Sequence, residues 1–213
     1  MLRIKSFLLI LLFAVCISSS PVSADTSSLA LDELVGLLSR MNSFQASFTQ
    51  QSFDKGGKPI QVLTGQLLLK KPDRFFWKSD EPYAQQLVSN GKSIWHYDPD
   101  LEQVVVQQFG EQVMRTPIMV VLKDPAMLAR DFRLEKKEAR DEKVEYRLAA
   151  VNDKEVIRSI RIGFREGKLA SLGFSDNLDQ RTEVLFSKVV HNLPLEESRF
   201  EFLIPAGADV VHE

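Results

Sequence analysis

From Phe44 onward the apolar residues of this chain recur at every second position, and that period constrains the fold more than any other property. Phe44, Ala46 and Phe48 alternate with Gln45, Ser47 and Thr49. Successive side chains of an extended strand point to opposite faces, so the alternation predicts a strand with one buried face. After a turn at Lys55-Gly56-Gly57-Lys58, residues Leu63, Gly65, Leu67 and Leu69 share one face of a second strand. Phe75 and Trp77 share a face of a third. Asn90-Gly91, between strands over 83–89 and 92–97, predicts a hairpin closed by a type I′ turn. Asp98-Pro99-Asp100 turns the chain again, and 101–108 runs back. Later strands are expected over 132–139, 143–151, 155–164, 168–175, 181–190 and 200–204. Ten or eleven short strands joined by tight turns predict an antiparallel barrel or sandwich.

Two segments depart from this period. Leu31, Leu34, Val35, Leu37, Leu38 and Met41 fall on one stripe at helical spacing, which predicts a helix over 29–41. Thr116-Pro117 reads as a second helix start, followed by Ile118, Met119, Val120, Val121 and Leu122. Asp124-Pro125 opens a further short helical piece with Met127 and Leu128. The segment 116–130 is apolar nearly all round, so it should be covered on more than one side.

The first 24 residues read as an address rather than as structure. Arg3 and Lys5 precede an 11-residue apolar run from Phe7 to Ile17, and Val22-Ser23-Ala24 suits a signal peptidase. The run is too short to span a bilayer, which needs about 20 residues. Val15 makes a poor lipobox before Cys16, so that cysteine is expected to leave with the leader. The expected organisation is a cleaved signal peptide over 1–24 and one domain over 25–213, exported and without a lipid anchor. Losing Arg3 and Lys5 leaves 25 basic against 29 acidic residues, which excludes a strongly basic nucleic-acid binder.

Enzyme chemistry finds little support. With one cysteine, a disulfide scaffold and a thiolate zinc site are excluded. His96, His191 and His212 form no metal-binding spacing. Gly173-Phe174-Ser175-Asp176-Asn177 lacks the last glycine of a nucleophile elbow. The glycines of 163–168 are too close for a phosphate loop. What stands out is apolar surplus. Twelve of the 14 phenylalanines lie beyond the leader. Periodicity leaves two arrangements open: a solid core with helices packed on it, or a curved sheet with helices as a movable lid over an apolar cavity.

The chain resembles the LolA family of periplasmic outer-membrane lipoprotein carriers. The resemblance runs through Ser43-Phe44-Gln45-Ala46-Ser47-Phe48-Thr49-Gln50. It continues in Gly65-Gln66-Leu67 through Lys70-Lys71-Pro72-Asp73-Arg74-Phe75-Phe76-Trp77, and in Leu87-Val88-Ser89-Asn90-Gly91-Lys92 through Trp95-His96-Tyr97-Asp98-Pro99. A weaker match covers Arg199-Phe200-Glu201-Phe202 and Pro205 to Val210. It implies a mainly β, single-domain fold: a strongly curved, unclosed antiparallel barrel of about 11 strands, with a helical lid over an apolar cavity. It implies Phe44, Phe48, Leu67, Leu69, Phe75, Trp77 and Trp95 as cavity residues, and Leu34, Leu38, Ile118, Met119, Val121 and Leu122 as lid residues. It further implies a non-enzymatic, monomeric chaperone without cofactor or metal. Its partners would be triacylated lipoproteins, an inner-membrane ABC transporter of the LolCDE type and an outer-membrane receptor of the LolB type. The family's latch arginine, which bonds lid carbonyls, is replaced here by Lys71, with Arg74 as a candidate substitute. The same cavity would also suit a carrier of another amphiphile, such as a glycolipid.

Overall fold

The structure is a computed structural model and describes residues 24–110, 125–152 and 155–213. Helix α1 spans Ala24–Ser39. Six strands follow: β1 (Ser43–Phe53), β2 (Pro59–Lys70), β3 (Arg74–Ser79), β4 (Gln85–Asn90), β5 (Ser93–Asp98) and β6 (Gln103–Gln108). Helix α2 (Pro125–Asp131) leads into β7 (Phe132–Arg140), β8 (Lys143–Ala150), β9 (Ile157–Arg165), β10 (Lys168–Asp176) and β11 (Arg181–His191). A 3-10 turn at Glu197–Phe200 and a last strand, β12 (Asp209–His212), complete the chain.

All twelve strands form one sheet in the order β12-β6-β5-β4-β3-β2-β1-β11-β10-β9-β8-β7. Two antiparallel meanders are joined where β11 pairs with β1, Phe48 lying opposite Phe186. The sheet is curved and unclosed, with β12 and β7 as its edges. Edge β7 is blunted by charge: beyond Leu134 it reads Glu-Lys-Lys-Glu-Ala-Arg and is exposed, which discourages pairing with another chain.

One apolar cluster fills the concave side. Leu34, Leu38 and Met41 at α1 and Leu128 of α2 pack there with Phe44, Phe48, Leu67, Leu69 and Phe75, and with Tyr146, Leu148, Ile160 and Ile162 from the second meander. These residues alternate along their strands, as a half-buried sheet requires.

Three readings of the sequence are corrected. No strand forms over 200–204. That segment crosses the convex face instead, where Phe200 is fully buried against Leu68 and Leu195. The true last strand is β12, which pairs with β6 in parallel, Val210 opposite Val104. The turn after β4 is not type I′, because Gly91 has a positive φ (86°) and Asn90 does not. Asn90 Oδ1 accepts from the amides of Lys92 (2.9 Å) and Ser93 (3.0 Å), an Asx arrangement that asks for only one left-handed residue.

The convex cover is anchored by charge as well as by Phe200. Glu197 pairs with Lys70 (2.6 Å) and Arg74 (2.5 Å). Removing a buried phenylalanine ring costs about 3–5 kcal/mol. Phe200→Ala should therefore lower the stability measured by urea unfolding by about that amount. A loss below about 1 kcal/mol would mean that the strap does not hold the convex face.

Candidate functional site

The concave face is built by register. Phe75 lies opposite Leu69, and Leu69 lies opposite Phe44, so three strands place their side chains in one row. The next row joins Trp77, Leu67 and Ala46. Phe48 and Trp77 stack with ring centroids 3.8 Å apart and planes 28° apart. Phe44 meets the edge of Phe186 at 5.1 Å. Phe48 sits opposite Gly65, whose lack of a side chain is essential: a Cβ there would lie 2.0 Å from the Lys78 carbonyl oxygen and 2.7 Å from the Phe48 ring.

Helix α1 covers this face, with Leu34 and Leu38 fully buried against it. Its C-terminal end is held from three directions. The Lys71 ammonium, in the turn between β2 and β3, donates to the Leu38 carbonyl at 2.7 Å. The last turn of α1 carries no basic residue of its own. A helix C-terminus presents unpaired carbonyls and partial negative charge, so a cation from a neighbouring turn is well placed there. Asn192, at the end of β11, accepts from the Asn42 amide (2.8 Å) and donates to the Arg40 carbonyl (3.1 Å). The Ser43 hydroxyl donates to the Leu193 carbonyl at 2.6 Å.

Farther up the helix, Glu33 forms an ion pair with Lys137 of β7. The Lys137 ammonium also lies 5.7 Å from the centroid of the Tyr146 ring. Lys137 holds the Glu33 carboxyl below the ordinary glutamate value, and burial pushes the Tyr146 phenol up. A carboxylate whose folded pKa is depressed stabilises the fold above its unfolded pKa. That contribution is lost as pH falls through the folded value. Docking of α1 should therefore weaken on acidification below about pH 4.5, the ordinary glutamate value. Hydrogen exchange of α1 amides, compared between the native protein and Lys137→Met, would show it. Equal acid sensitivity in the two proteins would remove this pair from the account.

The residues expected at the site divide clearly. Phe44, Phe48, Leu67, Leu69 and Phe75 are buried on the concave side together with Leu34 and Leu38, and Trp77 packs against them. Ile118, Met119, Val121 and Leu122 lie outside the described residues. Trp95 stands apart. It lies opposite Val88 and Val106, whereas its neighbour Ile94 belongs to the concave cluster. Its ring stacks on Phe202 at 6.5 Å, on the convex side. Arg74 also points away from the helix, toward Glu197. The sequence reading passed over Phe186, Phe164 and Tyr146, which complete the concave face from the second meander. Their alternation in β8, β9 and β11 was the available signal. Among the described residues, no group of three histidine, cysteine, aspartate or glutamate side chains could hold a metal.

Residues 39–203 match the family model described as outer membrane lipoprotein carrier protein LolA. This chain belongs to the LolA family. The outer-membrane lipoprotein carrier protein of Azotobacter vinelandii is 36% identical over 98% of this chain and 100% of its own length. The carrier of Pseudomonas aeruginosa PAO1 is 35% identical over 94% of this chain and 95% of its own. An uncharacterized conserved protein of Thermus thermophilus shares the LolA-like fold, with a TM-score of 0.55 at 13% identity over 88% of this chain and 99% of that one. The family match spans α1's last residue, both meanders and the convex strap, so it covers the whole concave face described above.

Proposed function

We propose that this protein is a periplasmic carrier of triacylated lipoproteins. It takes them from an ATP-driven inner-membrane transporter, shields their acyl chains on the concave face under α1, and delivers them to an outer-membrane receptor. Residues 1–24 act as a cleaved leader that brings the chain to the periplasm. No covalent chemistry is required of it. The observation that carries this reading is a family match over the same residues that build an apolar, aromatic concave face beneath a tethered helix.

The energetics suit such a role. Each buried methylene is worth about 0.8 kcal/mol, so a long acyl chain is worth roughly 10 kcal/mol and three chains cannot cross water unaided. Here the concave side is occupied by Leu34, Leu38 and Leu128 of the protein's own helices. Cargo must displace them and break the Lys71–Leu38 bond, and that cost weakens the apparent affinity for cargo. Loading then needs the transporter's ATP, while release to a more open receptor runs downhill. The cavity residues in this account are Phe44, Phe48, Leu67, Leu69, Phe75 and Trp77. Lys71 is the latch.

The test adds protein purified from the periplasm to spheroplasts making labelled lipoprotein. A soluble one-to-one complex carrying triacylated lipoprotein is expected. A complex holding only another lipid would overturn the cargo assignment.

A further inference from the structure

The second meander carries a feature that the concave face does not use. Strands β10 and β11 pair only from Ser171 opposite Leu185 to Ser175 opposite Arg181. Beyond Ser171 both strands bulge at the same level. Ala170 is one residue extra relative to β9, since Leu169 and Ser171 lie opposite the consecutive Phe164 and Gly163. β11 gains one residue relative to β1 between Ser187 and Val190, where Lys188 adopts a left-handed φ of 53°. Bulges end pairing and turn a strand aside. Here they send β11 along β1 and leave β10 with β9.

The wedge between them is a cleft of about 570 Å³. That size lies within the ~300–1,000 Å³ usual for small-ligand sites. Its floor is apolar: Phe164 and Leu169 belong to the main core cluster, and Phe186 and Val189 pack against it. Its rim is cationic. Lys143, Arg165, Lys168 and Lys188 all line it and are all exposed. Among the described residues none of these four cations forms an ion pair. Two carboxylates share the rim, and one of them, Glu145, is engaged with Arg147 at 2.8 Å. A chain of net negative charge thus gathers unpaired cations around an apolar slot, which an anion with an apolar tail would neutralise and fill.

We propose that the β10–β11 cleft is a second ligand site, which takes a single-chain anionic amphiphile. The alkyl chain lies over Phe164, Leu169 and Phe186, and the carboxylate or phosphate head meets Lys143, Arg165, Lys168 and Lys188. The site is independent of the lipoprotein cargo and goes beyond the carrier role.

Calorimetric titration of protein purified from the periplasm tests this with four probes below their micellar concentrations: dodecanoate, lysophosphatidylglycerol, lysophosphatidylcholine and dodecyl maltoside. The two anions should bind at least about tenfold more tightly than the zwitterion or the neutral detergent, the effect of one charge-assisted hydrogen bond. The tighter anion identifies a carboxylate or a phosphate head. The Lys168→Glu/Lys188→Glu double variant should erase the preference while keeping lipoprotein release from spheroplasts. Amide resonances of residues 168–171 and 186–189 should shift with the anions. Equal binding of all four probes, or shifts confined to residues around Trp77 and Leu38, would overturn the proposal. Loss of lipoprotein release with the anion preference intact would sink the carrier reading and leave this site standing.

Discussion

Replacing Lys71 with leucine should leave loading with lipoprotein intact and slow its hand-over to the receptor. The ammonium bonds the Leu38 carbonyl at 2.7 Å and stabilises only the closed state, in which α1 covers the concave face. A hydrogen bond from a charged donor contributes about 1.5–3 kcal/mol. Removing it lowers the cost of displacing the helix, so cargo affinity should rise by roughly 10- to 150-fold. Tighter binding makes release less favourable, and transfer slows by a similar factor if hand-over is limited by dissociation. Lys71→Arg, which keeps the cation and adds a planar fork of donors, should transfer at least as fast as the native protein. The measurement is transfer of labelled lipoprotein from the purified complex to outer-membrane vesicles. Transfer by Lys71→Leu at the native rate would remove the latch from the mechanism. Arg74 does not compensate, because its guanidinium is committed to Glu197 on the other side of the sheet.

The second large effect is expected at Gly65. An alanine Cβ would sit 2.0 Å from the Lys78 carbonyl oxygen, a backbone atom of the paired strand, and 2.7 and 2.8 Å from two carbons of the Phe48 ring. The strand cannot yield without breaking the β2–β3 ladder, and Phe48 cannot yield without leaving Trp77. Overpacking of this kind costs about 1–3 kcal/mol and occasionally more; the backbone overlap puts Gly65→Ala at the upper end. Chemical unfolding should show the loss of stability. Tryptophan emission in a Trp95→Phe background should shift as the Phe48–Trp77 stack opens. Cargo retention should fall with it, because the aromatic row is the floor on which the acyl chains lie. Native stability and unchanged emission would mean that the close approach at Gly65 is not the reason for glycine there.

The opposite behaviours expected of these two positions follow from where each acts. Lys71 touches only the cover, so its loss eases opening and tightens binding. Gly65 shapes the surface beneath, so its loss damages the face that cargo needs. The Glu33–Lys137 pair belongs with Lys71, as a tether of α1 that acid weakens.

The sequence alone was enough for the strands and for which residues share a face. Alternation is a local property, imposed by the pleat every two residues, and Phe44, Phe48, Leu67, Leu69, Phe75 and Trp77 carry it without help from distant contacts. The helical stripe of Leu34 and Leu38 was legible for the same reason at a different period. Lys71 could be singled out only through its place in a family motif; nothing local shows that its ammonium reaches a helix carbonyl 33 residues away in sequence.

Tertiary structure decided which face is inside. Trp95 and Phe75 look alike along the chain, yet Phe75 lies under α1 and Trp95 lies under Phe202. The difference comes from register, which passes across successive strand pairs and is fixed only when the whole meander forms. The convex core was hidden for a related reason. Leu67, Leu68 and Leu69 are all buried, because the strap through Leu195 and Phe200 covers the side that a half-buried strand would leave wet. Three leucines in a row hint at burial on both faces, but what supplies the second cover lies more than 120 residues away and can be found only in three dimensions. Likewise, the bulges at Ala170 and Lys188 are silent in the sequence. They arise where two neighbouring strands must follow different partners, a conflict that exists only once the sheet curves.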